Sequence, residues 1–83
     1  AIMKYKNNLI RICQAVDNGE YSSQEFLERL ETSFIEDDAI QNLIEEVKYN
    51  LELDIYTVLE KEQMSRRRKY AKQILMLLRD HVN

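Results

Sequence analysis

Proline and tryptophan are absent from this chain, glycine occurs once, at Gly19, and cysteine and histidine once each, at Cys13 and His81. A β-sandwich or barrel needs a turn signal about every 8–12 residues, and a sequence this poor in turn-formers does not supply one. It reads as all helix. A single glycine also excludes a glycine-rich phosphate loop. One cysteine excludes an internal disulfide and a cysteine-based zinc site, so Cys13 reads as a small buried hydrophobe on the first helix. His81, two residues from the end, reads as a solvent-exposed side chain near a helix C-terminus, where a cation is mildly favoured. The Glu-x-x-His repeats of a carboxylate–histidine di-metal bundle do not occur. The adjacent acids Glu45-Glu46 and Asp37-Asp38 point about 100° apart on a helix, too far to share a metal or a proton readily. The chain therefore reads as non-enzymatic, with no catalytic, cofactor-binding or metal-binding residue assigned and no cofactor expected.

No apolar run reaches the roughly 20 residues needed to span a bilayer, and no signal-peptide core is present. Together with the lone cysteine, this makes a reducing, cytoplasmic location the expectation. Met3 reads as the natural start of the chain.

What is present is a charged, amphipathic sequence of 83 residues, 45% apolar and 33% charged, expected to form one helical domain over 1–83. A chain of this size buries only about 60% of its unfolded surface. Ile2, Tyr5, Leu9, Ile12, Cys13 and Val16 follow three- and four-residue steps, which predicts a first helix over 2–17. Asn18-Gly19 then stops it, because glycine takes the left-handed conformation without a steric penalty. Ser22-Ser23-Gln24-Glu25 is a capping box, with Tyr21 and Phe26 placed as a hydrophobic staple. The second helix is expected to carry Phe26, Leu27, Leu30 and Phe34. Glu36-Asp37-Asp38 forms the next corner, with Asp38 as N-cap and Gln41 three residues later. The third helix then shows Ile40, Ile44, Val47, Leu51, Ile55 and Val58 on one stripe, widened by Leu43 and Leu59 into a core face.

Beyond Leu59 the apolar phase changes. The stripe through Leu51 and Ile55 would continue through Arg66, Lys69 and Gln73, whereas the apolar side chains are Met64, Ala71, Ile74, Leu75, Leu78 and Val82. Ile74 lies roughly 140° around the helix from Leu51. Either the chain turns near residues 61–65, with Ser65 as a weak N-cap, and packs back as a fourth helix, or one long C-terminal helix buries its second half in a dimer partner. The turn is the preferred reading. Four helices of roughly 16, 13, 21 and 18 residues with short corners make an antiparallel four-helix bundle the expected fold. Three helices with a long C-terminal one, as a homodimer, is the alternative.

Charge is segregated along this framework. Residues 17–62 carry fourteen acids against Arg29, Lys48 and Lys61, a net of −11. Residues 1–16 are at +3 and residues 63–83 at +5, so the total of −3 conceals an acidic middle between basic flanks. On a helical wheel the third helix carries Asp38, Gln41, Glu45, Tyr49, Glu52 and Tyr56 as a ridge beside the core stripe, next to Leu53. Glu25 and Glu28 add a neighbouring face on the second helix, and Glu36 and Asp37 the corner. Tyrosine among carboxylates fits a binding face, since its ring is rigid and apolar and its tip polar. The candidate partner-binding residues are therefore Glu25, Glu28, Glu36, Asp37, Asp38, Glu45, Tyr49, Glu52 and Tyr56, and the expected partner is a basic protein surface. The competing explanation is internal, with the basic first and fourth helices neutralising these acids inside the fold. Arg66-Arg67-Arg68-Lys69 could hold phosphates. Against direct nucleic-acid binding stand the acidic composition and a third helix whose carboxylates would repel phosphate. The expected role of that cluster is to pair with the acidic corner or with Glu60 and Glu62.

The stretch Ala15-Val16-Asp17-Asn18-Gly19-Glu20-Tyr21-Ser22-Ser23-Gln24-Glu25-Phe26-Leu27-Glu28-Arg29-Leu30 resembles the helix–turn–helix entry of colicin D-type bacterial immunity proteins, where a short polar turn precedes a Phe-bearing second helix. The resemblance covers about a fifth of the chain and implies a four-helix inhibitor of a tRNA-cleaving toxin nuclease, whose carboxylates stand in for RNA phosphates. The alternative functions are a small regulatory or scaffold helical protein, as a homodimer through its C-terminal segment, and a nucleic-acid-associated factor acting through Arg66–Lys69.

Overall fold

Four helices form in chain order: α1 (Ile2–Asp17), α2 (Ser23–Glu31), α3 (Asp38–Thr57) and α4 (Glu60–Asp80). They come from a computed structural model that describes residues 2–80, with side chains from Lys6 to Asp80. The readings of Ile2, Tyr5, His81 and Val82 as side chains lie outside the described residues. α1 packs chiefly on α4, α2 on α3 and α3 on α4, while the backbones of α1 and α3 do not approach closely among the described residues. The helices thus follow the order α1, α4, α3, α2 around a four-helix bundle measuring 37 × 21 × 19 Å. The all-α bundle is therefore the fold, and the long unbroken C-terminal helix does not form.

Each connection has a local cause. α1 ends at Gly19, whose φ of +81° is the left-handed conformation. The Glu20 amide donates to the Ala15 carbonyl at 2.9 Å and the Gly19 amide to the Val16 carbonyl at 3.0 Å, the paired bonds of a Schellman motif. α2 starts on the capping box: Ser22 Oγ accepts from the Glu25 amide at 3.1 Å, and Glu25 Oε1 accepts from the Ser22 amide at 3.4 Å. α2 then ends earlier than its apolar steps predict. Thr32 and Ser33 both turn their hydroxyls back on the Arg29 carbonyl, at 3.0 and 2.9 Å, the local competition by which such side chains terminate helices. The helical stripe stops with it. Phe34, expected in the core, is 64% exposed, and Ile35 on the following loop is buried in its place at 3%.

The N-cap of α3 is Asp37 rather than Asp38. Asp37 Oδ1 accepts from the Ala39 and Ile40 amides at 3.0 and 3.2 Å, which leaves Asp38 in the first turn. Gln41 does not return to the cap; its Oε1 accepts from the Ile35 amide at 3.2 Å and pins the buried loop residue.

The turn between α3 and α4 comes at Val58-Leu59, ahead of the predicted 61–65, and Ser65 lies inside α4 rather than capping it. Val58 is extended, at φ −119° and ψ 136°. Gln63 Nε2 donates to its carbonyl at 2.6 Å, and the Leu59 carbonyl accepts from the Glu62 and Gln63 amides, both at 2.9 Å. Leu59 itself is 76% exposed and does not widen the core face. With the helix starting at Glu60, Glu62 falls in its first turn and complements the positive helix end. Arg66 to Lys69 then sit beyond that turn, away from the like-signed helix end.

The core joins Leu9, Ile12, Cys13 and Val16 of α1, Phe26, Leu27 and Leu30 of α2, Ile35, Ile40, Ile44, Val47 and Leu51 around α3, and Ala71, Ile74 and Leu78 of α4. Met64, expected inward, is 46% exposed. The inward positions of early α4 are polar instead: Gln63 and Arg67 are buried, at 7% and 4%. So is Asp54 of α3, at 4%. Asp54 accepts from Arg66 Nη1 at 3.2 Å and from the Tyr70 hydroxyl at 2.7 Å. Arg67 Nη1 donates to Ser23 Oγ at 3.3 Å and to Glu60 Oε1 at 3.0 Å, tying α4 to the start of α2.

Tyr70→Phe leaves the buried Asp54 without its shortest bond and is expected to cost about 1–3 kcal/mol in urea unfolding, whereas Tyr49→Phe on the surface stays within about 0.5 kcal/mol. Burial raises the Cys13 thiol from 9.0 to about 12. Burial first, and then the bond to Asp54, raise the Tyr70 phenol above 10.0. Both groups hold their protons more tightly folded than unfolded. Their stabilisation is complete below the unfolded values of 9.0 and 10.0 and is lost as pH rises through the folded ones. Unfolding midpoints should fall above pH 9, and Cys13→Ala should flatten the part of that fall beginning at the thiol's unfolded value.

Candidate protein-binding face

The acidic ridge is set by the same step that builds the core. Ile40, Ile44, Val47 and Leu51 turn one side of α3 inward, which leaves Glu45, Tyr49, Glu52 and Tyr56 on the other. From Asp38 to Tyr56 the ridge runs roughly 27 Å at the rise of an α-helix. Tyr49 is 67% exposed, Tyr56 83% and Leu53 48%, so large apolar surface lies among the carboxylates. The tyrosines therefore do not widen the core.

The structure brings three of the expected residues together. Glu45, Tyr49 and Glu52 line an open depression of about 510 Å³ between α3 and α2, completed by Leu27, Glu31 and Lys48. Glu31 belongs to this face and is missed by the sequence reading; it follows Leu27 by one helical turn, which is the signal that could have found it. Glu45 Oε1 accepts from Lys48 Nζ at 3.1 Å and from Gln41 Nε2 at 3.0 Å. The bond from Lys48, then that from Gln41, hold the Glu45 carboxyl below the ordinary carboxylate value.

The other expected residues lie outside the depression. Glu25 is exposed but turned toward the Ser22 amide by the capping box. Glu28 is exposed and accepts from Gln24 at 3.2 Å. Glu36 and Asp38 are exposed at the far end of α3 from Tyr56, and Asp37 is half-buried as the cap. Arg29, the cation within α2, lies 4.5 Å over the Tyr21 ring, a cation–π contact on the flank of the fold.

The internal explanation for the charge segregation can be read directly from the ion pairs. Among the described residues, Arg66 pairs with Asp54, Arg67 with Glu60, and Arg68 and Lys72 with Asp17, at 3.2, 3.0, 3.5 and 3.7 Å. None of these acids lies on the ridge. The expected pairing of the basic cluster with Glu60 is made by Arg67. The cluster is also divided, since Arg67 is buried and held by Ser23 and Glu60 while Lys69 is exposed. Within the ridge, Lys48 is the cation found paired with a carboxylate. The described residues hold no group of three or more His, Cys, Asp or Glu side chains able to bind a metal. No described helix is long and apolar enough to cross a membrane.

Compared with known protein families, with curated proteins and with solved structures, the chain finds no match.

Lys48→Met should raise the Glu45 carboxyl back toward 4.5, as read by side-chain carboxyl NMR titration. In the wild type, Glu45 accordingly keeps its charge to lower pH than an isolated glutamate would.

Proposed function

We propose that the chain is a non-catalytic binding module whose α2–α3 face docks on a basic protein surface. The supporting observation is that the cations of α4 pair with Asp17, Asp54 and Glu60 and leave the ridge carboxylates unpaired by them. An acidic face with exposed Tyr49, Leu53 and Tyr56 offers both charge complementarity and anchor side chains. The most concrete version, drawn from the resemblance of residues 15–30, is a bacterial immunity protein that neutralises a tRNA-cleaving toxin nuclease. The carboxylates would occupy the cleft that otherwise receives RNA phosphates, and long-range attraction would speed association.

The test is inhibition of a colicin D-type nuclease domain, with binding measured by titration calorimetry across salt concentrations. Glu45→Lys together with Glu52→Lys should weaken the complex by about tenfold or more and flatten its salt dependence. Unchanged affinity in that double variant would remove the assignment of this face. An unmodified chain that neither binds nor inhibits such a nuclease would remove the immunity reading.

A further inference from the structure

The side of the bundle opposite the acidic ridge carries its chemical counterpart. In the helix order α1, α4, α3, α2, the α1–α4 groove and the α2–α3 depression face away from each other. The groove has a volume of about 660 Å³ and is lined by Ile10, Leu75, Met76 and Leu78, with Lys72 and Arg79 as its charged side chains. Ile10 and Leu75 are half-buried, while Met76 is 57% exposed in the groove. A second depression continues along α4 past Met76 to Lys69 and Arg68. Lys72 reaches Asp17 at only 3.7 Å with its side chain 60% exposed, a surface pair that leaves its charge available to solvent.

One side of the molecule therefore presents an apolar seam flanked by cations. The other presents Tyr49, Leu53 and Tyr56 flanked by Glu45 and Glu52. We propose that the α1–α4 groove receives the α3 ridge of a second copy of this chain, so that copies associate head to tail. The two surfaces carry opposite charge and both supply exposed apolar side chains. The formal net charge of −3 does not oppose this strongly, since repulsion between whole molecules is screened beyond about 8 Å at physiological salt while facing charges meet at contact. Because the surfaces differ and lie on opposite sides, the contact is heterologous and extends into open chains rather than closing at a dimer. This association stands apart from the nuclease-inhibitor reading. Both would use the ridge, so a cationic partner would break the chains up.

Sedimentation equilibrium tests it. At roughly 0.5 mM protein and 50 mM salt, the weight-average mass should exceed the 10.0 kDa monomer by about twofold or more, and should return to monomer at about 0.5 M salt. Lys72→Glu with Arg79→Glu reverses the groove charge, and Glu45→Gln with Glu52→Gln removes ridge charge; all four side chains are exposed. Each double variant alone should stay monomeric. Mixed, they should form a 1:1 complex, through the intact groove of the ridge variant and the intact ridge of the groove variant. A monomer at low salt, association that survives either double variant, a mass that levels off at a dimer, or a mixture that fails to pair would each overturn the proposal.

Discussion

Asp54 is a carboxylate at a position where the repeat of α3 calls for an apolar side chain, and the corner of the bundle is organised around it. A buried charge is tolerable only when it is paired and hydrogen-bonded. Asp54 meets that demand by drawing Arg66 and Tyr70 from the facing helix, at 3.2 and 2.7 Å. Those two contacts fix how α4 packs back on α3. Gln63 and Arg67, on the same inward side of α4, bond the Val58 carbonyl and Ser23 respectively, so one polar cluster joins the ends of three helices. Breaking one partner away would leave a buried polar group unsatisfied, and the antiparallel return is held by that cost as well as by apolar burial.

The same cluster decides the surface charge. Arg66 and Arg67 are occupied at the corner, and Arg68 and Lys72 turn to Asp17 at the end of α1. The cations of α4 are thereby directed to the corner and to α1, away from the outer side of α3. Charge that is segregated along the chain remains segregated in space, with a carboxylate-and-tyrosine ridge on one side and a cation-flanked apolar groove on the other. Over distances longer than the screening length the two nearly cancel; at a contact surface they do not. That is the physical basis for reading the molecule as a binding module.

Much of the fold was legible in individual residues. Gly19 and the Ser22–Glu25 capping box act through neighbours in the chain and form as the sequence predicts, as do the apolar steps from Leu9 to Val16 and from Ile40 to Leu51. The misplacements share one origin. Phe34 continues the helical stripe on paper, but the Thr32 and Ser33 hydroxyls end the helix first and Ile35 becomes the inward residue. The phase change after Leu59 marks the turn, but the start of the α4 inward stripe is hidden if that face must be apolar. Gln63, Arg67, Ala71, Ile74 and Leu78 follow one continuous inward stripe whose first two members are polar. Asp54 could have been found from its place on the α3 stripe, and its partners then sought among the bases that follow.

The sequence by itself determined that the chain is helical, where its first corner falls and that Glu45, Tyr49 and Glu52 share one side of α3, because these depend on backbone conformation and side-chain spacing. Only the tertiary structure decided which cations the acidic ridge keeps near it. Ion pairs and buried hydrogen bonds join residues far apart in the chain: Arg67 reaches Ser23 and Arg68 reaches Asp17, across 44 and 51 positions. Pairings of that range are set by how the helices pack and carry no periodic signal in the sequence.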